Sequence, residues 1–166
     1  MTVAVGSYFV VRTSGLAGRL IRIGTCSPVN HAGIVVSATG DTMEGQPGGA
    51  GYGHLSHYDG HLLIVNDLEW LTDAQRAAIV DQARGLTGTP YSWLDIVALG
   101  LACFGLRSGW IAKRVARNDR LICSQLVDLV YQRAGIHMFD DGRLPSAVTP
   151  GDLLLRIAQH RWKAHT

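Results

Sequence analysis

The chain has 166 residues, of which 47% are hydrophobic and 17% are charged, and its formal net charge is +2. This composition is typical of one compact globular domain and excludes an intrinsically disordered chain. The small charge and the lack of any lysine or arginine run argue against a nucleic-acid partner. We therefore expect a single domain over residues 1–166.

The first part of the chain has the short β-branched segments that predict strands. Strands are predicted at residues 7–13, 31–38, 40–45 and 61–67. Between the first two, LAGRLIRIGT (16–25) has helical spacing, with Leu16, Leu20 and Ile23 on one side. QPGGAGYG (46–53) is predicted to be a loop because proline and glycine interrupt regular structure.

Helical periodicity begins at Thr72, a predicted N-cap for a helix that ends near Gly85. Further helices are predicted at 91–106 and 108–117, and the segment 149–159 is expected to form a short terminal helix or strand. The helix RLICSQLVDLVYQRAG (120–135) is expected to begin at an N-cap of Asn118 or Asp119 and to end with Gly135 at the C′ position. Strands first and helices second indicate an α+β class.

The apolar stretch IVALGLACFGL (96–106) is too short to span a bilayer. A buried core helix is favoured there over an interfacial membrane helix, so membrane contact is not expected. The segment MTVAVGSYFVVR at the N-terminus lacks the features of a signal peptide. Synthesis and retention in a reducing cytoplasm, or release by a non-secretory route, are therefore expected.

The three cysteines, Cys26, Cys103 and Cys123, form neither a disulfide framework nor a Cys-x-x-Cys zinc pair. Cys123 is the candidate for chemistry because it lies near the start of its helix. There the macrodipole favours the thiolate and backbone N–H groups are free to bind an oxyanion. Burial as a small packing residue is the alternative for Cys123 on helix position alone.

A nucleophilic cysteine needs a base and a group that orients the base. His31 begins an apolar strand, so a rigid element would hold its ring at the edge of a cleft. Glu44 is on the next predicted strand, where antiparallel pairing would bring it beside His31. The alternative for Glu44 is an exposed carboxylate at a strand end.

SPVNHAGIVVSATGDTMEGQPGG (27–49), followed far downstream by RLICSQLVDLVYQRAG, resembles the circularly permuted branch of the NlpC-type papain-like cysteine peptidases. GTPYSW (88–93) and TPGDLLL (149–155) also resemble segments of that family, so the resemblance extends from about Gly6 to Leu155. The order histidine, carboxylate, cysteine is that of the permuted branch. Gln125 departs from the family pattern, in which an acidic residue often follows Cys-Ser.

The resemblance implies a permuted papain-like fold, with a central antiparallel sheet packed against the cysteine helix. It also implies a Cys-His-Glu triad of Cys123 as nucleophile, His31 as general base and Glu44 as the group that orients His31. Tyr91 corresponds to a family tyrosine near the active site, where its phenol would help to bind the oxyanion. No cofactor and no metal are implied.

Other histidines and cysteines have simpler interpretations. His54, His57 and His61 form a cluster to which Asp59 is adjacent, but their spacing fits a solvated or hydrogen-bonding loop better than a metal site. This loop is expected to form one wall of the substrate cleft. Cys26 is interpreted as a packing residue rather than a second thiol at the cleft, and Cys103 as a core residue.

The leading functional hypothesis is a cysteine amidase or peptidase that cleaves peptide amide bonds of bacterial cell wall through an acyl-thioester. Without a signal peptide, the protein would reach the wall after lysis or within a phage virion or tail, with other phage structural proteins as partners. One alternative is a lipid ester or amide acyl hydrolase or acyltransferase, similar to lecithin–retinol acyltransferase, with residues 96–106 as an interfacial anchor. The other is a non-catalytic structural or binding module of the same fold.

Overall fold

A computed structural model describes residues 3–46, 48–66, 68–90 and 122–163. Its strands are β1 (Tyr8–Arg12), β2 (His31–Val35), β3 (Asp41–Gln46), β4 (Gly49–His54) and β5 (Leu62–Asn66). They form one five-stranded sheet in the order β4-β3-β2-β1-β5, with every neighbouring pair antiparallel. The predicted α+β class, with an antiparallel sheet, is confirmed at this level.

The described helices are α1 (Leu16–Gly24), α2 (Asp73–Arg84), α3 (Cys123–Arg133) and α4 (Pro150–Lys163). Helix α1 connects β1 to β2, and the other three follow the sheet in the chain. Helix α3 packs against β2 and β3, and both α2 and α4 contact α3. Short 3-10 helices occur at Leu55–Tyr58 and Pro145–Ala147. Within the described residues, no helix has the length and apolar character needed to cross a membrane.

Both faces of the sheet are covered, because successive strand residues point to opposite faces. Tyr8 and Val10 belong to the larger core, which α3 completes with Leu126, Val127 and Val130. Phe9 and Val11 belong to a smaller cluster on the other face, against which Leu55 and Tyr58 of the 3-10 helix pack. The 3-10 helix therefore covers the face of the sheet opposite to α3.

Two tyrosine hydroxyls tie the helices to the sheet. The Tyr131 hydroxyl of α3 donates to the Gly6 carbonyl at 2.5 Å, and the Tyr8 hydroxyl of β1 donates to the Leu153 carbonyl at 3.1 Å. The two rings meet edge to face with centroids 5.8 Å apart. Pairing buried hydroxyls in this way avoids the free-energy cost of leaving them unsatisfied.

The predicted ends of α2 are confirmed. The Thr72 side chain accepts a hydrogen bond from the Gln75 backbone N–H at 3.2 Å, and Gln75 Oε1 accepts from the Thr72 N–H at 3.0 Å. This reciprocal pair is a capping box, which satisfies two of the N–H groups that a helix start leaves unpaired. Gly85 follows as the C-cap.

The predicted N-cap of the cysteine helix is wrong, whereas its predicted C-terminus is confirmed. Asn118 and Asp119 lie outside the described residues, and the N-cap is Ile122. Ile122 has no side-chain acceptor, and the side chain of Gln125 accepts a hydrogen bond from the Ile122 N–H instead. At the other end Gly135 has φ 78°, the left-handed conformation that favours glycine at C′.

The predicted loop at 46–53 is also wrong, because most of it forms β4. A turn at Gly48 and Gly49, with φ of 118° and 129°, reverses the chain after β3. The backbone of residues 49–54 then pairs with β3 from Gln46 back to Asp41. Backbone pairing rather than side-chain pattern defines this strand, so its glycines concealed it in the sequence.

Several predictions fall on residues outside the described part of the chain. These are the helices at 91–106 and 108–117, Cys103 and Tyr91. The proposed interfacial role of residues 96–106 falls there as well. Residues 150–159 belong to α4, which begins at Pro150, so the helical alternative for the segment 149–159 is confirmed.

Candidate active site

His31 is the first residue of β2, and its side chain is 16% exposed. Its Nε2 lies 2.6 Å from Oε2 of Glu44, which is on the neighbouring strand β3. The structure therefore brings together the two residues that the sequence suggested as base and orienting carboxylate. Because Nε2 is bonded to Glu44, Nδ1 is the ring nitrogen available to a further partner.

Strand register and a glycine explain how Glu44 reaches His31. Glu44 pairs with Gly33, so His31 is its diagonal neighbour, two residues along β2. A Cβ on Gly33 would lie 2.8 Å from Cγ of Glu44, a separation that side-chain carbons do not tolerate. The missing side chain at Gly33 gives the Glu44 side chain its path across the strand.

Glu44 is almost fully buried, with 1% of its side chain exposed. Its Oε1 accepts a hydrogen bond from the Thr42 hydroxyl, and its Oε2 accepts one from the Tyr58 hydroxyl as well as from His31. Burial raises the pKa of this carboxyl, but His31, Thr42 and Tyr58 outweigh it and hold the pKa below its usual value. Glu44 is therefore a buried carboxylate in its ionised form.

Gly53 on β4 forms the floor beneath this carboxylate. A Cβ at this position would collide with Oε1 of Glu44 and would lie 2.8 Å from the Thr42 hydroxyl oxygen. Glycine at position 53 thus has a local cause, which is the close approach of the Glu44 carboxylate to the backbone of β4.

Cys123 is the first residue of α3 and is 4% exposed. It lies close enough to His31 to raise the pKa of that imidazole. Burial lowers the pKa of His31, but the Cys123 and Glu44 side chains together raise it to about 10. At neutral pH His31 is therefore protonated, and Glu44 and Cys123 are the two side chains that favour its cationic form.

The start of α3 adds to the positive field around Cys123. The first turn contains no acidic residue, and the first N–H groups of a helix have no partner within it. Unpaired N–H groups and an imidazolium create a field that favours an anion placed close to them.

Gln125 and Ser124 hold this helix start in place. The Gln125 side chain accepts from the Ile122 N–H at 3.2 Å and donates to the Ser146 carbonyl at 3.0 Å. The Ser124 hydroxyl donates to the Val148 carbonyl at 2.6 Å. The amide at position 125 thus supplies a donor that a carboxylate would lack.

The other residues singled out in the sequence either lie away from the His31–Glu44 pair or fall outside the described part of the chain. Tyr91 lies outside the described residues. Cys26 is exposed and has φ 48°, so its interpretation as a packing residue is wrong. His54 bonds to Ser56 at 2.7 Å and to the Thr39 carbonyl at 3.0 Å, as expected for a hydrogen-bonding segment. Within residues 3–46, 48–66, 68–90 and 122–163, no cluster of three or more histidine, cysteine or acidic side chains is suited to hold a metal ion.

Sequence reasoning missed Tyr58, Thr42, Gly33 and Gly53. Tyr58 lies in the segment that was expected to form one wall of the cleft, and its ring is 5.9 Å from that of His31. The alternation of Thr42 and Glu44 on one face of β3 was a readable signal for Thr42. The two glycines had no readable signal, because their importance depends on where the Glu44 side chain lies.

Comparison with known proteins identifies a similar fold and no family. No protein-family model matches the chain, and the search of curated proteins gave no match. Among solved structures, the metalloprotein yiiX from Escherichia coli O157:H7, a DUF1105 protein, is similar with a TM-score of 0.61. The two are 20% identical, and the similarity covers 89% of this chain and 79% of that chain. At this identity the similarity supports a shared fold and carries neither a function nor a metal to this chain.

Proposed function

We propose that this chain is a cysteine hydrolase of the circularly permuted, NlpC-type papain-like class. The observation that carries the proposal is the bond of His31 to the buried carboxylate of Glu44, together with the effect of Cys123, at a helix start, on the pKa of the same imidazole. The alternative interpretations, Glu44 as an exposed carboxylate and Cys123 as a packing residue, give no reason for Glu44 to be buried and bonded to His31. The antiparallel sheet packed against α3, and the chain order His31, Glu44, Cys123, agree with the resemblance of the sequence to that class.

The reaction begins with Cys123 as a thiolate, after its proton has been transferred to His31. The thiolate attacks the carbonyl carbon of an amide, and the N–H groups at the start of α3 bind the oxygen on which negative charge develops. The C–N bond then breaks as His31 gives its proton to the leaving amine, which leaves an acyl-thioester on Cys123. Water attacks the thioester while His31 accepts a proton from it, and the C–S bond breaks. The acid product leaves, and the Cys123 thiolate beside protonated His31 is regenerated.

Glu44 is assigned the role of fixing the ring of His31 and stabilising its cationic form. Tyr58 and Thr42 support this role because their hydroxyls hold the carboxylate. They are positioning residues, since they act through Glu44. The substrate class follows the resemblance of residues 27–49 and 120–135 to wall-active relatives, so we propose the peptide amide bonds of bacterial cell wall.

The thiol chemistry is tested by iodoacetamide alkylation, with mass spectrometry reporting each cysteine separately. At about pH 6, Cys123 is expected to react faster than exposed Cys26, which serves as an internal reference. His31→Ala should remove this advantage. Equal rates for Cys123 in the wild type and in His31→Ala would overturn the thiolate–imidazolium pair.

The substrate is tested by the release of free amino groups from purified peptidoglycan. Wild type and Cys26→Ser should release them, whereas Cys123→Ser should fall to the background rate. If Cys123 shows the expected alkylation but the wild type releases no amine, the wall substrate is wrong while the cysteine chemistry stands.

A further inference from the structure

A groove of about 610 Å³ lies at one end of the sheet and is lined by Arg12, Arg19 and Arg22. Its other polar lining residues are Thr13, Ser14 and His61, and its apolar lining residues are Leu16 and Leu62. None of the described residues that line it carries a carboxylate. The groove is therefore a concave, electropositive surface of the size that binds small ligands.

This groove is at the same end of the sheet as His31. Strand β1 ends at Arg12, β2 begins at His31, and Val11 pairs with His31 in the sheet. On the other side of β1, Arg12 pairs with Leu62 at the beginning of β5. A ligand in the groove would lie on the side of the molecule where the candidate triad is placed.

Hydrogen bonds between Asn30, Thr13 and Arg22 hold the wall of the groove in place. Buried Asn30, next to His31, accepts from the Thr13 N–H at 2.9 Å and donates to the Thr13 hydroxyl at 2.8 Å. The Arg22 guanidinium donates to the Thr13 carbonyl at 2.9 Å and to Oδ1 of Asn30 at 3.2 Å. These bonds fix Arg22 and the chain on which Arg12 is carried.

Helix α1 packs closely against this hydrogen-bond network at Gly18. A Cβ on Gly18 would lie 2.9 Å from the Thr13 hydroxyl oxygen and 3.2 Å from Nδ2 of Asn30. Because Gly18 allows the close approach, the beginning of α1 is held at the groove. That first turn has no acidic residue and no side-chain cap, so its N–H groups add to the positive field.

Two of the three arginines are available to a ligand. Arg12 and Arg19 are exposed, and among the described residues their guanidinium groups have neither a hydrogen bond nor an ion pair. Arg22 is engaged by Thr13 and Asn30 and contributes its charge and its remaining donors. Guanidinium groups suit phosphate because their planar donors match two oxygens at once.

We propose that this groove binds a phosphate group that is attached to an apolar chain. The arginines and the start of α1 would hold the phosphate. Leu16 and Leu62, which are 74% and 54% exposed, would contact the apolar part. The phosphate group is common to soluble alkyl phosphates and to the headgroups of anionic phospholipids, and the experiment distinguishes these sources.

The test compares two double variants with equal loss of charge. Arg12→Gln with Arg19→Gln removes the available arginines of the groove. Arg84→Gln with Arg133→Gln removes two exposed arginines from the last turns of α2 and α3 and is the matched control. Thermal unfolding of each variant checks that the fold is retained.

The first measurement is calorimetric titration with hexyl phosphate and with inorganic phosphate. Wild type and the control should bind hexyl phosphate more tightly than inorganic phosphate, and the groove variant should bind about tenfold more weakly or worse. The second is flotation with vesicles of phosphatidylcholine, with or without phosphatidylglycerol. Flotation only with phosphatidylglycerol, lost in the groove variant and kept in the control, would identify the lipid headgroup as the source.

Failure of both probes to bind the wild type would overturn the proposal. So would equal weakening in the two double variants, because net charge rather than the groove would then be responsible. Cys123→Ser should bind hexyl phosphate as the wild type does. The outcome is therefore independent of whether the chain proves to be a hydrolase.

Discussion

Glu44 shows how single residues determine the candidate site. A buried carboxylate is costly unless it is paired, and each partner of Glu44 is a side chain from β2, β3 or the 3-10 helix Leu55–Tyr58. Two glycines, Gly33 and Gly53, provide the space it occupies. Its ionisation is what allows it to hold His31 in the cationic form.

Replacing Gly53 by alanine is expected to disturb this pair while leaving the sheet intact. The new methyl group collides with Oε1 of Glu44 and must displace the carboxylate, which weakens its bond to His31. We expect the alkylation rate of Cys123 at about pH 6, and any hydrolase activity, to fall on the order of 10- to 100-fold.

Gly51→Ala is the matched control, since Gly51 is on the same strand and a Cβ there meets nothing within 4 Å. It should react like the wild type. A Gly53→Ala protein that keeps the alkylation rate of the wild type would show that the position of Glu44 does not control Cys123.

At the scale of elements, the start of α3 is held by side chains from within the helix. The N-cap Ile122 cannot cap with its own side chain, and Gln125 satisfies the Ile122 N–H instead. The same amide anchors the segment around Ser146, so one buried residue connects the helix to the 3-10 helix Pro145–Ala147.

Gln125→Ala is expected to reduce the free energy of unfolding by about 1–3 kcal/mol, because it leaves a buried N–H and a buried carbonyl without partners. Urea denaturation measures this loss. Gln159→Ala, at an exposed glutamine of α4, should change stability by less than about 0.5 kcal/mol. Equal losses for the two variants would contradict the anchoring role of Gln125.

Gln125→Glu distinguishes the contribution of the bond to Ile122 from that of the bond to Ser146. A carboxylate keeps an acceptor for the Ile122 N–H but places an oxygen against the Ser146 carbonyl, where a donor is needed. We expect Gln125→Glu to be destabilised as well. A protein with unchanged stability would show that the bond to Ser146 contributes little.

The elements that the sequence predicted well are those whose own side chains define them. The capping box at Thr72 and Gln75, the glycine after α3 and the β-branched run of β2 are local signals, and each was readable. Strand β4 was missed because its side chains show no strand pattern. It is a strand because its backbone pairs with β3. The N-cap of α3 was missed because Ile122 lacks the side chain that usually marks one.

At the scale of the whole molecule, the sheet brings distant parts of the chain to one end. His31 begins β2, Arg12 ends β1, and Cys123 enters from a helix about ninety residues later in the chain. Residue types and their order along the chain suggested His31, Glu44 and Cys123 as partners. The supporting residues could not be predicted in this way, because their contacts depend on register and on side-chain paths.

The His31–Glu44 pair also predicts how the stability of the fold depends on pH. The pKa of His31 is about 10 in the folded protein, against 6.5 as its usual value in an unfolded chain. The folded state therefore holds the proton more tightly, so this contribution is complete below pH 6.5 and is lost as the pH rises towards about 10. Glu44 acts in the opposite direction: its lowered pKa stabilises the fold above its usual value of 4.5, and this is lost as the pH falls through the folded value.

Urea denaturation between pH 6.5 and 10 is expected to show a decreasing free energy of unfolding in the wild type. His31→Gln should flatten this decrease, whereas His57→Gln, at an exposed histidine, should leave it unchanged. Cys123→Ser should move the decrease to lower pH, because one of the two groups that raise the pKa of His31 is lost. If His31→Gln kept the full slope of the wild type, the pH dependence would arise elsewhere, and His31 would not be the cation that the proposed mechanism needs.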